Sequence, residues 1–182
     1  MQHALQVVQH LLNFELAVEG GLKCTTIVVS PLAQLSLVSG SYEAIVFSDV
    51  QLGAQWMALW CAHIRLTDAL AAGLTISRDP LLRSTTTRHI SRANSIVQRI
   101  CATVSFVLGE LDSNGYPRNF GDVTVGPAPM LLAPVLFVVG TSFSIRTEPK
   151  AWICDRLAQI GHERGIGQAL VFEKRLRGNT GV

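Results

Sequence analysis

Residues 152–170 read WICDRLAQIGHERGIGQAL, and the folding of this stretch decides the class of the C-terminal half of the chain. Its glycines, Gly161, Gly165 and Gly167, and its cluster His162, Glu163 and Arg164 suit four readings: a phosphate loop, a catalytic acid/base pair, a DNA-reading helix-turn-helix and a plain helix pair. A dinucleotide loop sets its glycines after a buried strand and before a helix, so that backbone N–H groups face pyrophosphate. Here the glycines follow a helical pattern instead. Ile153, Leu157 and Ile160 form an apolar stripe, Cys154, Ala158 and Gly161 form a small-residue stripe beside it, and Arg156, Gln159 and Glu163 fall on the outward side. Gly165 suits the left-handed position that ends a helix, with Ile166 covering the last turn. A second helix over 167–177 carries Ala169, Leu170, Phe172 and Leu176, and Glu173 and Arg177 stand four apart as a supporting pair. The stretch predicts two helices joined at Gly165.

The same residues fail the chemical readings one by one. His162-Glu163 opens an HExxH pattern, but residue 166 is isoleucine where the second histidine ligand is needed one turn later. Cys61 and His63 are two residues apart, so on a helix they point away from each other; the reading is a buried thiol and a helix-surface imidazole rather than a nucleophile and its base. No G-x-S-x-G is present, and Cys24, Cys61, Cys101 and Cys154 lie far apart with no CxxC pair to build a structural zinc site. The expectation is a chain with no catalytic, cofactor-binding or metal-binding residues, and not an enzyme. As a DNA-reading pair the helices are poorly equipped, since the second begins Gly-Gln-Ala-Leu-Val-Phe and offers Gln168 as its only early base-reading side chain.

Working outward, Ile96, Ile100, Val104 and Leu108 keep a helical period over 93–111, and a Gly/Pro-rich loop is expected at 111–129. The apolar run from 130 reads as a buried core helix. Thr147, Glu148 and Pro149 then signal a helix start. The uncharged window 123–145 has the length of a membrane span but is punctuated by Gly126, Pro127, Pro129, Pro134 and Gly140, so a small membrane-associated helical protein is the alternative class. Residues 75–92, rich in Arg, Ser and Thr, read as an exposed linker dividing the chain into halves. Trp56, Trp60, Ile64 and Leu70 place one long or two abutting, largely buried helices over 42–74. For 22–41 local propensity favours a strand, with Thr25, Thr26, Ile27, Val28 and Val29 in succession, and a helical context is the competing influence, so the sequence leaves this segment's fold open. Over 4–18, Leu5, Val8, Leu12 and Leu16 mark an amphipathic helix ended by Gly20 and Gly21, without the basic start and apolar core of a signal peptide.

Composition bounds the remainder. The chain has 182 residues, enough for one domain, and 48% of them are hydrophobic against only 15% charged. Mean hydropathy is +0.33, so the surface is short of solvated groups and is expected to pack against other protein. A net charge of +2 does not by itself imply a polyanionic partner. The one basic cluster is Arg78, Arg83, Arg88, Arg92 and Arg99, with Asp79 as its only acid and no interleaved aromatics to stack bases. Within it Ser91, three residues after Arg88, is a candidate phosphate acceptor. The four cysteines lie among apolar neighbours and read as small buried hydrophobes in a reducing compartment.

Three blocks in order, ICATVSFVLG at 100–109, LLAPVLFVVGTSF at 131–143 and WICDRLAQIGHERGIGQALVFEKRL at 152–176, resemble the C-terminal end of fungal zinc-cluster transcription regulators. AQWMALWCAHIRL at 54–66 is similar to the helices that precede those blocks, so the resemblance covers 42–176. It implies an all-α, irregular multi-helix bundle, a single regulatory-type domain over 1–182 or a fragment of a larger helical one. It also implies a nuclear protein and an effector role through contacts with other domains of a longer parent, with protein partners or with a small inducer; a second copy of the chain is a further candidate partner. The six-cysteine zinc cluster through which that family reads DNA has no counterpart here, so no direct nucleic-acid contact is implied for this segment.

Overall fold

The computed structural model describes residues 6, 10, 13, 24–29, 42–74, 80–118, 128–144 and 148–179. Five helices and a two-stranded sheet follow one another as β1 (Cys24–Val29), β2 (Tyr42–Phe47), α1 (Val50–Leu74), α2 (Pro80–Val107), α3 (Ala128–Thr141), α4 (Glu148–Glu163) and α5 (Gly167–Asn179). The architecture is an all-α multi-helix bundle with a small antiparallel β-pair on one side. At the N-terminus, Gln6, His10 and Asn13 are helical and exposed, the side opposite the apolar stripe expected for 4–18, whose other residues lie outside the described set.

The β-pair corrects one boundary. Residues 42–47 are not the start of a long helix: Tyr, Ile, Val and Phe favour an extended pleat, and β2 pairs with β1 in the register Cys24↔Phe47 to Val29↔Tyr42. The break between β2 and α1 is Ser48-Asp49, where the Asp49 carboxylate caps the helix by accepting the Leu52 N–H at 2.8 Å. Ala44, Ile45, Val46 and Phe47 are buried and sit against α2, while most of β1 is exposed.

The linker expected at 75–92 is corrected as well. From Pro80 onward it is the first part of α2, with proline in the first turn where its missing N–H costs nothing. The Ser, Thr and Arg content that suggested a linker belongs to the outward side of the helix. Inward, Thr86, His89 and Ala93 are buried, and packing overrides the weak helix propensity of the Thr85-Thr86-Thr87 run. The Thr87 hydroxyl meets its own helix, donating to the Arg83 carbonyl at 3.0 Å. Residues 75–79 lie outside the described set.

Of the loop expected at 111–129, residues 111–117 form a tight turn closed by a bridge between Leu111 and Pro117. Asp112 accepts from the N–H groups of Asn114 and Tyr116, both at 2.8 Å, and these bonds hold its carboxyl below the usual range. Gly115 takes a positive φ of 83°, and a Cβ there would strike Ile27 of β1. The last two residues of the expected loop, 128 and 129, already belong to α3, and 119–127 lie outside the described set.

The core is continuous across α1 to α5, with Trp60, Met57, Ile64, Ile100, Leu136, Ile153 and Leu157 among its buried members. Helix α3 has no charged residue because it is central: it packs against α1, α2, α4 and α5. Its 14 residues extend about 21 Å at 1.5 Å each. Among the described residues no helix is long and apolar enough to cross a membrane.

Candidate functional site

Helices α4 and α5 are joined as the sequence predicts. Ile153, Leu157 and Ile160 are buried, and Gly165 has φ of 69° and ends α4 in the left-handed conformation. Gly161 faces Leu170 of α5 so closely that an added Cβ would collide with its branched end, so the small-residue stripe serves close helix approach. Phe172 of α5 stacks on Phe137 of α3 with ring centroids 4.3 Å apart. On the surface Arg177 pairs with Glu173, as expected, and also reaches Asp155 of α4 at 3.0 Å. His162 and Glu163 lie exposed at the end of α4, so the residues that suggested acid/base chemistry form a solvated helix terminus.

Arg156 departs from the expected pattern. Its place beside the apolar stripe suggested an outward side chain, but it turns inward and is only 7% exposed. There its Nη1 donates to Glu110 Oε1 at 2.9 Å and to Gln159 Oε1 at 2.6 Å, and Nη2 reaches the Ser105 hydroxyl at 3.4 Å. The guanidinium also lies over the Trp152 ring, 5.5 Å from its centroid. Glu110 is brought in by the turn after α2, where Gly109 adopts φ of 75° and the Glu110 N–H bonds back to the Ser105 carbonyl. Next to it, Arg164 donates to the Leu108 carbonyl at 3.1 Å. This polar centre ties the α4–α5 joint to the end of α2 across 46 residues of sequence. The one readable sign of it was an acid, Glu110, standing at the end of an apolar segment.

A second buried polar centre lies between α1 and α2. His63, expected on the helix surface, is fully buried, and its ring centroid is 6.2 Å from that of His89, itself 5% exposed. Burial, the neighbouring His63 and Arg88 all hold His89 below the ordinary histidine range. Cys61 faces elsewhere, its thiol 3.7 Å from the Val135 carbonyl of α3, so the structure does not bring the Cys61/His63 pair together. Burial pushes the Cys61 and Cys101 thiols up to about 12, which leaves both protonated at neutral pH and poor nucleophiles. Cys154 is buried, whereas Cys24 on β1 is exposed, contrary to the expectation of four buried thiols.

The described members of the basic cluster do not share one surface. Arg83 and Arg88 are exposed on α2, Arg99 folds over the Trp60 ring at 4.8 Å, and Arg78 lies outside the described residues. Ser91 is exposed and lines a hollow of about 600 Å³ with Thr87, Asn94, Gln98, Ser144 and Pro149. A second, apolar groove of about 420 Å³ runs between α1 and α3, lined by Gln51, Gln55, Ala58, Leu131, Pro134 and Val138. Among the described residues no group of three or more His, Cys, Asp or Glu is placed to hold a metal ion.

No family model, curated protein or solved structure matches the chain. Its own residues are the basis for any reading of function.

Proposed function

We propose that the chain is the helical regulatory region of a fungal transcription regulator, a nuclear protein, and that it acts through contacts with other domains or protein partners rather than by reading DNA. The observation that carries this is the order of the three sequence blocks and the way each takes a place in one core. Block 100–109 forms the end of α2 and the turn that delivers Glu110, block 131–143 forms most of α3, and block 152–176 forms α4 and α5. The polar centre of Arg156 and Glu110 binds the first block to the third, so the series behaves as a unit. Shortage of charge on the outward sides of α1 and α3 supports contact with protein. On the α4–α5 pair, the early outward residues of α5 are Gln168 and Val171, a poor set for base readout.

Fusion of residues 42–182 to an unrelated DNA-binding module in a fungal host, with a reporter under its operator, tests the reading. An effector region alters reporter output relative to the module alone, and the genomic DNA upstream of Met1 encodes an in-frame six-cysteine cluster. An unchanged reporter together with upstream sequence lacking such a cluster rejects the proposal.

A further inference from the structure

Helix α2 carries charge of one sign only. Over 28 residues it holds Arg83, Arg88, Arg92 and Arg99 and neither an aspartate nor a glutamate. Within the chain that distribution is unfavourable. Arg83 stands fourth in the helix, near the positive end of the macrodipole where an acid is stabilising, and the first turn holds no acid. Arg88 and Arg92 are four apart, the spacing at which like charges repel on one helix side. The charge of Arg88 also reaches inward: with burial and His63 it holds His89 below the ordinary histidine range. Arg99 is folded onto Trp60, but Arg83 and Arg88 are exposed and enter no ion pair among the described residues. Five residues separate them, so they stand about 140° apart around α2 at 3.6 residues per turn and flank a strip of hydroxyl and amide side chains. That strip, with Thr87, Ser91 and Gln98 exposed along it, is one wall of the hollow of about 600 Å³ whose other wall is Ser144 and Pro149. From 87 to 98 the hollow follows α2 for about 16 Å at 1.5 Å per residue, the reach of about five residues of extended chain at 3.3 Å each.

We propose that this side of α2 binds an extended acidic segment of a protein partner, its main chain along the hollow and its carboxylates on Arg83 and Arg88. Charge complementarity selects the occupant, since an acid supplies the counter-charge that the helix itself lacks. Between 83 and 98 no apolar side chain is exposed, so an apolar helix has nothing to bury on the strip. A polynucleotide fits less well. Arg83 and Arg88 neutralise about two phosphates where a nucleic-acid site uses about six to ten, and no aromatic side chain is exposed along the strip to stack a base. This partner chemistry rests on the reading that the chain works through protein contacts, and it is measured in solution without the reporter, so each can fail alone.

Fluorescence anisotropy of the full chain with a labelled peptide of about ten alternating glutamate and serine residues tests it, beside the same peptide with lysine for glutamate and a labelled DNA duplex. We expect the acidic peptide to bind saturably and the basic one not at all. Arg83→Glu or Arg88→Glu weakens binding by about 10-fold, the double variant by more, and added salt weakens it progressively. Arg175→Glu on α5, also exposed, leaves it unchanged. Thermal unfolding of the free chain separates a partner surface from a structural role. Arg83→Glu sets an acid near the helix start and Arg88→Glu gives Arg92 an opposite charge four residues before it, so both variants unfold about 1–4 °C higher while binding is lost. Absence of saturable binding at about 1 mM acidic peptide overturns the proposal. So does binding indifferent to the double variant, tighter binding of the duplex than of the peptide, or variants that unfold below the parent chain.

Discussion

Two of the places where the described residues bury polar side chains meet the cost of doing so in opposite ways. Between α2 and α4, the buried Arg156 guanidinium is surrounded by acceptors from Glu110, Gln159 and Ser105. Between α1 and α2, the rings of His63 and His89 meet at 6.2 Å, and burial, His63 and Arg88 hold His89 below the ordinary histidine range. The difference teaches that a buried cation is accommodated where the backbone delivers a carboxylate to it, whereas burial beside a second imidazole and an arginine disfavours the charged form of His89. Taking one partner from the first centre strands a charge. Acidifying the second creates one.

The largest effect follows from the first route. Arg156→Met leaves the Glu110 carboxylate, 2% exposed at its side chain, uncompensated in the core, and we expect a loss of about 3–5 kcal/mol in chemical denaturation. The double variant Arg156→Met with Glu110→Leu recovers most of that loss, since a buried pair is worth little over an apolar replacement of similar volume. Failure of the double variant to recover would assign the cost to packing on Trp152 rather than to the stranded charge. Glu110→Gln keeps one acceptor oxygen for Arg156 but removes the second acceptor and the neutralising charge, and the expected loss is smaller, about 1–3 kcal/mol, by the same measurement.

The smallest effect at neutral pH is at the histidine centre. His89 takes up a proton less readily in the folded chain than in the unfolded chain, whose ordinary value is 6.5. The unfolded state therefore binds more protons over the window that begins near that value and extends below it, so stability is fully present above 6.5 and falls as pH drops toward the folded-state value. His89→Gln removes this dependence and flattens the slope of stability against pH below 6.5. An equally steep slope in the variant would place the proton uptake on another group.

The contrast between the two centres also explains what could be read beforehand. The apolar stripes of α2 and α4 were legible because burial repeats every three or four residues and leaves a periodic mark. The Gly165 helix end was legible because few residues accept its backbone conformation. Arg156 was misplaced because it borders the stripe, and a period of 3.6 does not say whether a border residue turns in or out. The burial of His63 is not legible beside Cys61, its neighbour in sequence, because its spatial neighbour is His89 on another helix. The start of α2 was misread as a linker since a helix with one wet side carries the same Ser, Thr and Arg that a loop does. Strand β2 was misread since its pairing with β1 is a long-range contact, and the capping role of Asp49 shows only once α1 is in place.

The sequence by itself determined that the chain builds a helical bundle around an apolar core, and that the segment at 152–176 is a helix pair with a glycine end. Local propensity and periodic burial are properties of neighbouring residues, so they are written in the order of the chain. Only the tertiary structure decided which polar groups are buried together and which side of α1 is left outward. Those depend on side chains separated by 26 to 46 residues meeting at one point. The energy of such a meeting belongs to the pair and leaves no mark on either stretch alone.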